Sequence, residues 1–218
     1  MKVINEAVRF SGYQAILGTS QHFFSPELSL KALASVEVQF GSDPSTVIRP
    51  NPDLTRRQLE LLISEMTKLS PVVDFSLDLS TWRGEYDSRY DNSIDDDLLE
   101  AISQMSGSLR TLIFPLRFEY DHQITDNGLS HLSRCSSLQT LKLCACPNVT
   151  GDGFKHLSHL MCLESLELYD FRRLTDENLV HLELFIGLKQ LRLGHCPRLT
   201  SPGFTAIGKL AGLVELEI

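Results

Sequence analysis

No apolar run in this sequence approaches the 18 or more residues of a membrane-spanning helix. The opening residues, Met1-Lys2-Val3-Ile4-Asn5-Glu6, lack the apolar core of a secretory signal. A basic excess is also missing. Twenty Lys and Arg stand against twenty-eight Asp and Glu, a net charge of -8. Nucleic acid and anionic membrane attract basic surfaces, so neither is an expected partner. Cysteine is scarce and odd in number: Cys135, Cys144, Cys146, Cys162 and Cys196. A disulfide framework would be even in count and set in a small loop-rich domain. These thiols read instead as reduced and mostly buried, which points to the cytoplasm of the chain's own cell or, for a secreted effector, of a host. Missing too are G-x-x-x-x-G-K-S/T, G-x-G-x-x-G, G-x-S-x-G and H-E-x-x-H, so no enzyme activity and no cofactor are expected.

What the chain has in excess is leucine, 37 of 218 residues, 24 of them after residue 108. They recur at one interval. Leu138, Leu163, Leu188 and Leu213 are equally spaced, and the same step of twenty-five positions separates Leu141, Leu166, Leu191 and Leu216. Leu143, Leu168, Leu193 and Ile218 make a third series, and Cys146, Phe171 and Cys196 a fourth. Val149, Leu174 and Leu199 continue it, followed by Leu129, Phe154, Leu179 and Phe204, then Leu132, Leu157, Leu182 and Ile207. Seven series locked to one period make a repeat.

Each unit has two halves with different periods. The first, as in Leu163-Glu164-Ser165-Leu166-Glu167-Leu168, ends in the alternation of a strand. The second, as in Leu174-Thr175-Asp176-Glu177-Asn178-Leu179-Val180-His181-Leu182, spaces apolar residues three apart after a capping residue, which predicts a short helix. Ser201-Pro202 reads as a capping hydroxyl followed by proline at the first helical position. One unit cannot bury its own leucines. Stacked units align strands in a parallel sheet on one side and helices on the other, so the fold class is α/β.

Upstream the pattern loosens. Leu109, Leu112 and Phe114 predict a strand, as do Val72, Phe75 and Leu77, and earlier Leu33, Val36 and Val38. A helix is expected at about Leu54 to Thr67, and Asn5, Val8 and Phe10 mark an eighth, degenerate strand. The expected division is an irregular N-terminal cap over residues 1–70 and regular repeats over 71–218.

Residues 135–150, Cys-Ser-Ser-Leu-Gln-Thr-Leu-Lys-Leu-Cys-Ala-Cys-Pro-Asn-Val-Thr, and Ile124-Thr125-Asp126-Asn127-Gly128-Leu129 resemble the cysteine-containing leucine-rich repeat of F-box leucine-rich-repeat proteins, C-x-x-L-x-x-L-x-L-x-x-C-x-x-I-T-D-x-G-L. The resemblance covers about residues 72–218, with Phe171 in place of one repeat cysteine, and no F-box segment is visible. It implies a leucine-rich repeat solenoid, a right-handed horseshoe with its parallel sheet on the concave face and short helices on the convex face. It further implies a protein-interaction scaffold that binds a protein partner of unknown identity through that concave face. The rival readings are the substrate-recognition subunit of a ubiquitin ligase and a bacterial effector binding a host protein.

In such a horseshoe the residues between the core leucines face outward from the sheet. The columns read Asp74, Ser76, Asp78; Thr111, Ile113, Pro115; Thr140, Lys142, Cys144; Ser165, Glu167, Tyr169; Gln190, Arg192, Gly194; and Glu215, Glu217. Tyr169, Arg192 and His195 should be neighbours, with Glu167 and Lys142 beside them, and Tyr and Arg are frequent at interface hot spots. The blander reading of such a strip, and the more common one, is a solvated sheet face. A second candidate is the insertion from about Ser80 to Ser93, which carries Trp82, Tyr86 and Tyr90 and reads either as a recognition loop or as a packed cap. His131, His156 and His181 recur in one helix position, and Cys144 and Cys146 diverge on a strand, so no metal site is expected. Asp91, Asp95, Asp96 and Asp97 fail the calcium-loop spacing and suit a helix start. The last strand ends at Ile218 with Leu213 and Leu216 on an open edge, which leads to the expectation of a longer natural chain or of self-association through that end.

Overall fold

The leucines that recur at the repeat interval are the ones folding removes from water. Leu138, Leu141, Leu143, Leu166, Leu168 and Leu191 are completely buried in the computed structural model, which describes residues 37–40, 46–50, 52–69, 74–82, 94–116 and 122–218. At roughly 25 cal/mol per Å2 of apolar surface, each such side chain favours folding by about 1.5–3 kcal/mol before chain entropy is counted. Alternation makes each L-x-L segment a strand with one face to the core. The strands are β1 (Glu37–Phe40), β2 (Thr46–Arg49), β3 (Phe75–Asp78), β4 (Leu109–Ile113), β5 (Thr140–Cys144), β6 (Ser165–Tyr169), β7 (Gln190–Gly194) and β8 (Glu215–Glu217).

They lie side by side in chain order, and β2 to β8 are parallel. Parallel neighbours need a long crossover. Helices supply it: α1 (Arg56–Leu69), α2 (Asp96–Ser103), α3 (Asp126–Leu132), a 3-10 helix at Gly151–His159, α4 (Asp176–Leu179) continued by a 3-10 turn at Val180–Leu184, and α5 (Ser201–Ile207). Strand and helix leucines share one apolar cluster, with Leu129, Phe154 and Leu179 from the helical side fully buried.

The expected strand at Leu33, Val36 and Val38 is corrected. β1 overlaps it only at its end and runs antiparallel to β2, pairing Val38 with Ile48. The stretch between Phe40 and Thr46 is too short for a parallel crossover. The parallel series therefore starts at β2, a strand the leucine spacing did not mark. The expected strand at Asn5, Val8 and Phe10 lies outside the described residues, as do Leu33, Val36 and Val72. The expected helix at Leu54 to Thr67 is α1, shifted by two residues.

At three of the helix junctions one aspartate joins consecutive helices. Asp96 accepts from the Thr125 amide at 2.8 Å and hydroxyl at 2.6 Å. Asp126 does the same for Thr150, again at 2.8 and 2.6 Å. Asp176 takes the Thr200 amide at 2.8 Å and also its hydroxyl. A Cβ on Gly128, Gly153 or Gly203 would lie 2.1, 2.5 or 2.3 Å from the incoming carboxylate, so glycine makes room for each clasp. Gly151 takes the aspartate position in one unit, and there Asn178 replaces the next glycine. Its Oδ1 accepts from Thr175 N at 3.3 Å and Oγ1 at 2.8 Å. Ser201 is not the cap of α5. Thr200 holds that position, and its hydroxyl is drawn to Asp176 rather than back onto the helix.

Candidate functional site

The side chains between the buried leucines form three rows across the sheet. Thr140, Ser165, Gln190 and Glu215 are paired in register along one row, and Lys142, Glu167, Arg192 and Glu217 along the next. The second row alternates in sign. Lys142 Nζ lies 2.8 Å from Glu167 Oε2. The Arg192 guanidinium lies 2.8 Å from Glu215, 3.0 Å from Glu217 and 4.0 Å from Glu167. Opposite charges facing each other across strands stabilise a sheet modestly, by about 0.2–1 kcal/mol a pair. Glu215 above all, then Glu217, holds the Arg192 guanidinium in its charged form more firmly than usual.

The third row runs Cys144, Tyr169 and Gly194. A Cβ on Gly194 would fall 2.3 Å from Tyr169 Cδ2, so the glycine is what lets the tyrosine ring lie across β7. That ring stacks on His195 with centroids 6.4 Å apart and planes at 21°. His195 follows the strand at φ 53°, and Asp170 and Ala145 take φ 58° and 49° at the same position of the two preceding units. This left-handed residue turns the chain out of the strand in each unit. Asp170 is 2% exposed and receives Arg172 at two points, Nε to Oδ1 at 3.1 Å and Nη2 to Oδ2 at 2.8 Å. His195 Nε2 approaches the same carboxylate at 3.8 Å.

Of the residues singled out from sequence, Tyr169, Arg192, His195, Glu167 and Lys142 are thus brought together on one face of β5 to β7 and its rim. Trp82 is not with them. It is 2% exposed and donates from Nε1 to the Leu54 carbonyl at 2.9 Å, so its ring is part of the core beside Leu54 and offers no surface to a partner. Tyr86 and Tyr90 lie outside the described residues.

Cys144, expected on the open face, is 2% exposed. Burial, helped by Glu167, pushes its thiol up to about 12, and burial pushes Cys135 up to about 12 as well. Near neutral pH both are neutral thiols, which pack as apolar groups rather than attack or ligate. Cys146 and Cys196, two units apart, donate Sγ–H to the carbonyls of Cys144 and Gly194 at 3.2 and 3.5 Å. His181 faces Asp152 at 3.4 Å, joining neighbouring helices. Among the described residues no group of three or more His, Cys, Asp or Glu is arranged to hold a metal ion. Asp95 caps α2 through the Leu98 amide at 2.9 Å and takes Arg56 at 2.7 Å, and Asp96 is spent on Thr125. No described helix is long and apolar enough to cross a membrane.

The outward columns stop short of the arginines just beyond the strands. Arg172, Arg173 and Arg198 are all exposed and stand two or three residues after Asp170 and His195 at the same strand ends. A signal for them was present, since Arg173 and Arg198 are one repeat interval apart, but series built on apolar positions do not pick it out. No protein-family profile and no curated protein matches the chain.

Proposed function

We propose that the chain is a protein-interaction scaffold of the leucine-rich repeat class. Its strands and helices coil as a solenoid, and it binds a protein partner through the concave sheet face around Tyr169, Arg192 and His195. The strict in-register pairing of equally spaced units, with every ladder leucine from Leu138 to Leu168 buried, supports the solenoid. Five free thiols support a reducing, cytoplasmic setting.

The observation that carries the binding reading is the Tyr169–His195 stack seated over Gly194. Neither ring is needed to bury the leucine ladder, and a glycine is spent to hold the tyrosine in place. A large rigid aromatic on a polar, pre-paired face is the anatomy of an interface anchor. The flanking ion-pair ladder keeps its charges compensated, so docking on it does not strand an unpaired ion.

The test begins with capture of partners from extract on the immobilised chain, followed by affinity measurement on the purified partner. Tyr169→Ala should weaken binding at least tenfold, about 1.4 kcal/mol. Met161→Ser, on the opposite edge of the sheet, should leave it unchanged. Equal affinity for wild type, Tyr169→Ala and Arg192→Glu, all shown to be folded, removes the proposal.

A further inference from the structure

On the sheet face, every described cation is answered by a carboxylate. Arg49 holds Asp78 at 2.8 Å and Arg110 holds Asp74 at 3.0 Å. Lys142 holds Glu167, and Arg192 is shared by three glutamates. The rim at the strand ends is different. Arg172 is clamped on buried Asp170. Arg173 and Arg198 are exposed and make no ion pair or hydrogen bond among the described residues. They occupy the same position in consecutive units. Each stands a few positions beyond the Tyr169–Gly194 strand pair, between the buried or half-buried Phe171 and Cys196 on one side and Leu174 and Leu199 on the other. Neighbouring strands lie about 4.8 Å apart, so the repeat brings these two positions of consecutive units close in space. Like charges held close repel one another. Nearby, Arg172, Lys189 and Arg192 each have a counterion.

We propose that this rim docks an acidic peptide segment of the protein partner, with carboxylates on Arg173 and Arg198 and the segment passing the Tyr169–His195 stack. The proposal rests on the concave-face reading above and adds the chemistry of the partner. Guanidinium and carboxylate match as bidentate pairs. One arginine in each of two consecutive units suits carboxylates strung along an extended segment, whose alternate residues repeat at about 6.6–6.8 Å, better than one compact dianion. Of the nearby acids, Asp170 is tied to Arg172 and Asp176 to Thr200, leaving Glu177 exposed. The net charge of -8 does not forbid the contact, because at physiological salt fields decay within about 8 Å and the two arginines act at contact range.

The probe is a fluorescein-labelled decapeptide alternating Asp or Glu with Ser, titrated with the full chain by fluorescence anisotropy at about 0.15 M salt, the physiological ionic strength. Its companions are the Asn/Gln counterpart and a neutral peptide bearing one phosphoserine. The acidic peptide should bind, and Arg173→Glu/Arg198→Glu should weaken it at least tenfold. Lys189→Glu/Lys209→Glu applies the same charge change on the opposite edge, where each lysine has its own glutamate at 2.7 and 2.9 Å. That variant should change affinity less than threefold, with every variant still folded at the assay temperature. Equal binding of the amide peptide, equal loss in both double variants, no binding at all, or binding of the phosphoserine peptide alone would each overturn the inference. If the rim fails while a captured partner still loses affinity with Tyr169→Ala, the sheet-face reading stands without it. If the rim binds the peptide but the captured partner ignores Tyr169→Ala and Arg192→Glu, it is the sheet-face reading that falls.

Discussion

The units after residue 124 and those before it solve the same packing problem with different tolerances. From β5 to β8 the middle leucine of each strand follows the last at a constant step, and Leu141, Leu166, Leu191 and Leu216 pair in unbroken register. The earlier steps, Ile48 to Leu77 and Leu77 to Leu112, are longer and unequal, and the ladder slips between Phe75 and Ser76. Yet Ile48, Leu77, Leu112 and Leu141 still align across four strands. Core position is therefore held tightly and loop length loosely. The physics agrees: a buried leucine has a narrow fit, whereas doubling a loop costs only about 0.6 kcal/mol.

Where the early units are irregular, a bulky plug replaces repetition. Trp82→Ala removes that plug together with its bond to Leu54, and should cost about 3–5 kcal/mol in urea unfolding. Leu166→Ala, in the regular part, should cost about 2–5 kcal/mol, and so should Leu77→Ala, since all three side chains are equally sealed. A Leu77→Ala cost well under about 1 kcal/mol would break the comparison, because it would mean the early core is slack like its loops.

A smaller effect sharpens the contrast inside the regular part. Among the equally spaced units, the junction of Gly151 and Asn178 lacks an aspartate clasp, and a Cβ on Gly151 would fall 1.7 Å from Asn178 Cβ. Gly151→Asp alone should destabilise by about 1–3 kcal/mol through overpacking. Gly151→Asp/Asn178→Gly should recover most of that loss by rebuilding the clasp onto Thr175. A double-mutant cycle with no coupling would show the two positions to be independent.

Much of this architecture is legible without coordinates, because burial has a period. The L-x-L segments, their parallel stacking and the three rows of the outer face all follow from the constant leucine spacing. Other features depend on partners distant in sequence. β2 has no leucine, and its place is set by a hairpin. Trp82 stands among polar and aromatic residues that read either as a recognition loop or as a packed cap, and only the far-off Leu54 carbonyl decides its place. Cys144 follows the outward alternation of its strand yet is buried, because alternation gives direction and not what covers a side chain. The outward columns contain Lys142, Glu167 and Arg192, but the sign-alternating ladder needed the register to become visible.

The clasps themselves differ in one testable respect: Asp176 is an acid and Asn178 is not. The Thr200 hydroxyl first, then the Thr200 and Gly203 amides, hold the Asp176 carboxyl below the usual carboxylate range. A depressed folded-state value means its stabilisation is complete above the unfolded carboxyl value, near about 3.9, and is lost as pH falls through the folded value. Asp176→Asn should therefore narrow the stability gap to wild type as the medium is acidified below about pH 4, and leave it constant above about pH 5. The local signature is sharper. Hydrogen exchange at the Thr200 amide, corrected for its intrinsic rate, should lose protection on acidification ahead of global unfolding. The Thr175 amide, held by neutral Asn178, should not. Parallel loss at both amides would show that acid loosens the whole stack at once, and that the aspartate clasp is no more a local acid-labile joint than its asparagine substitute.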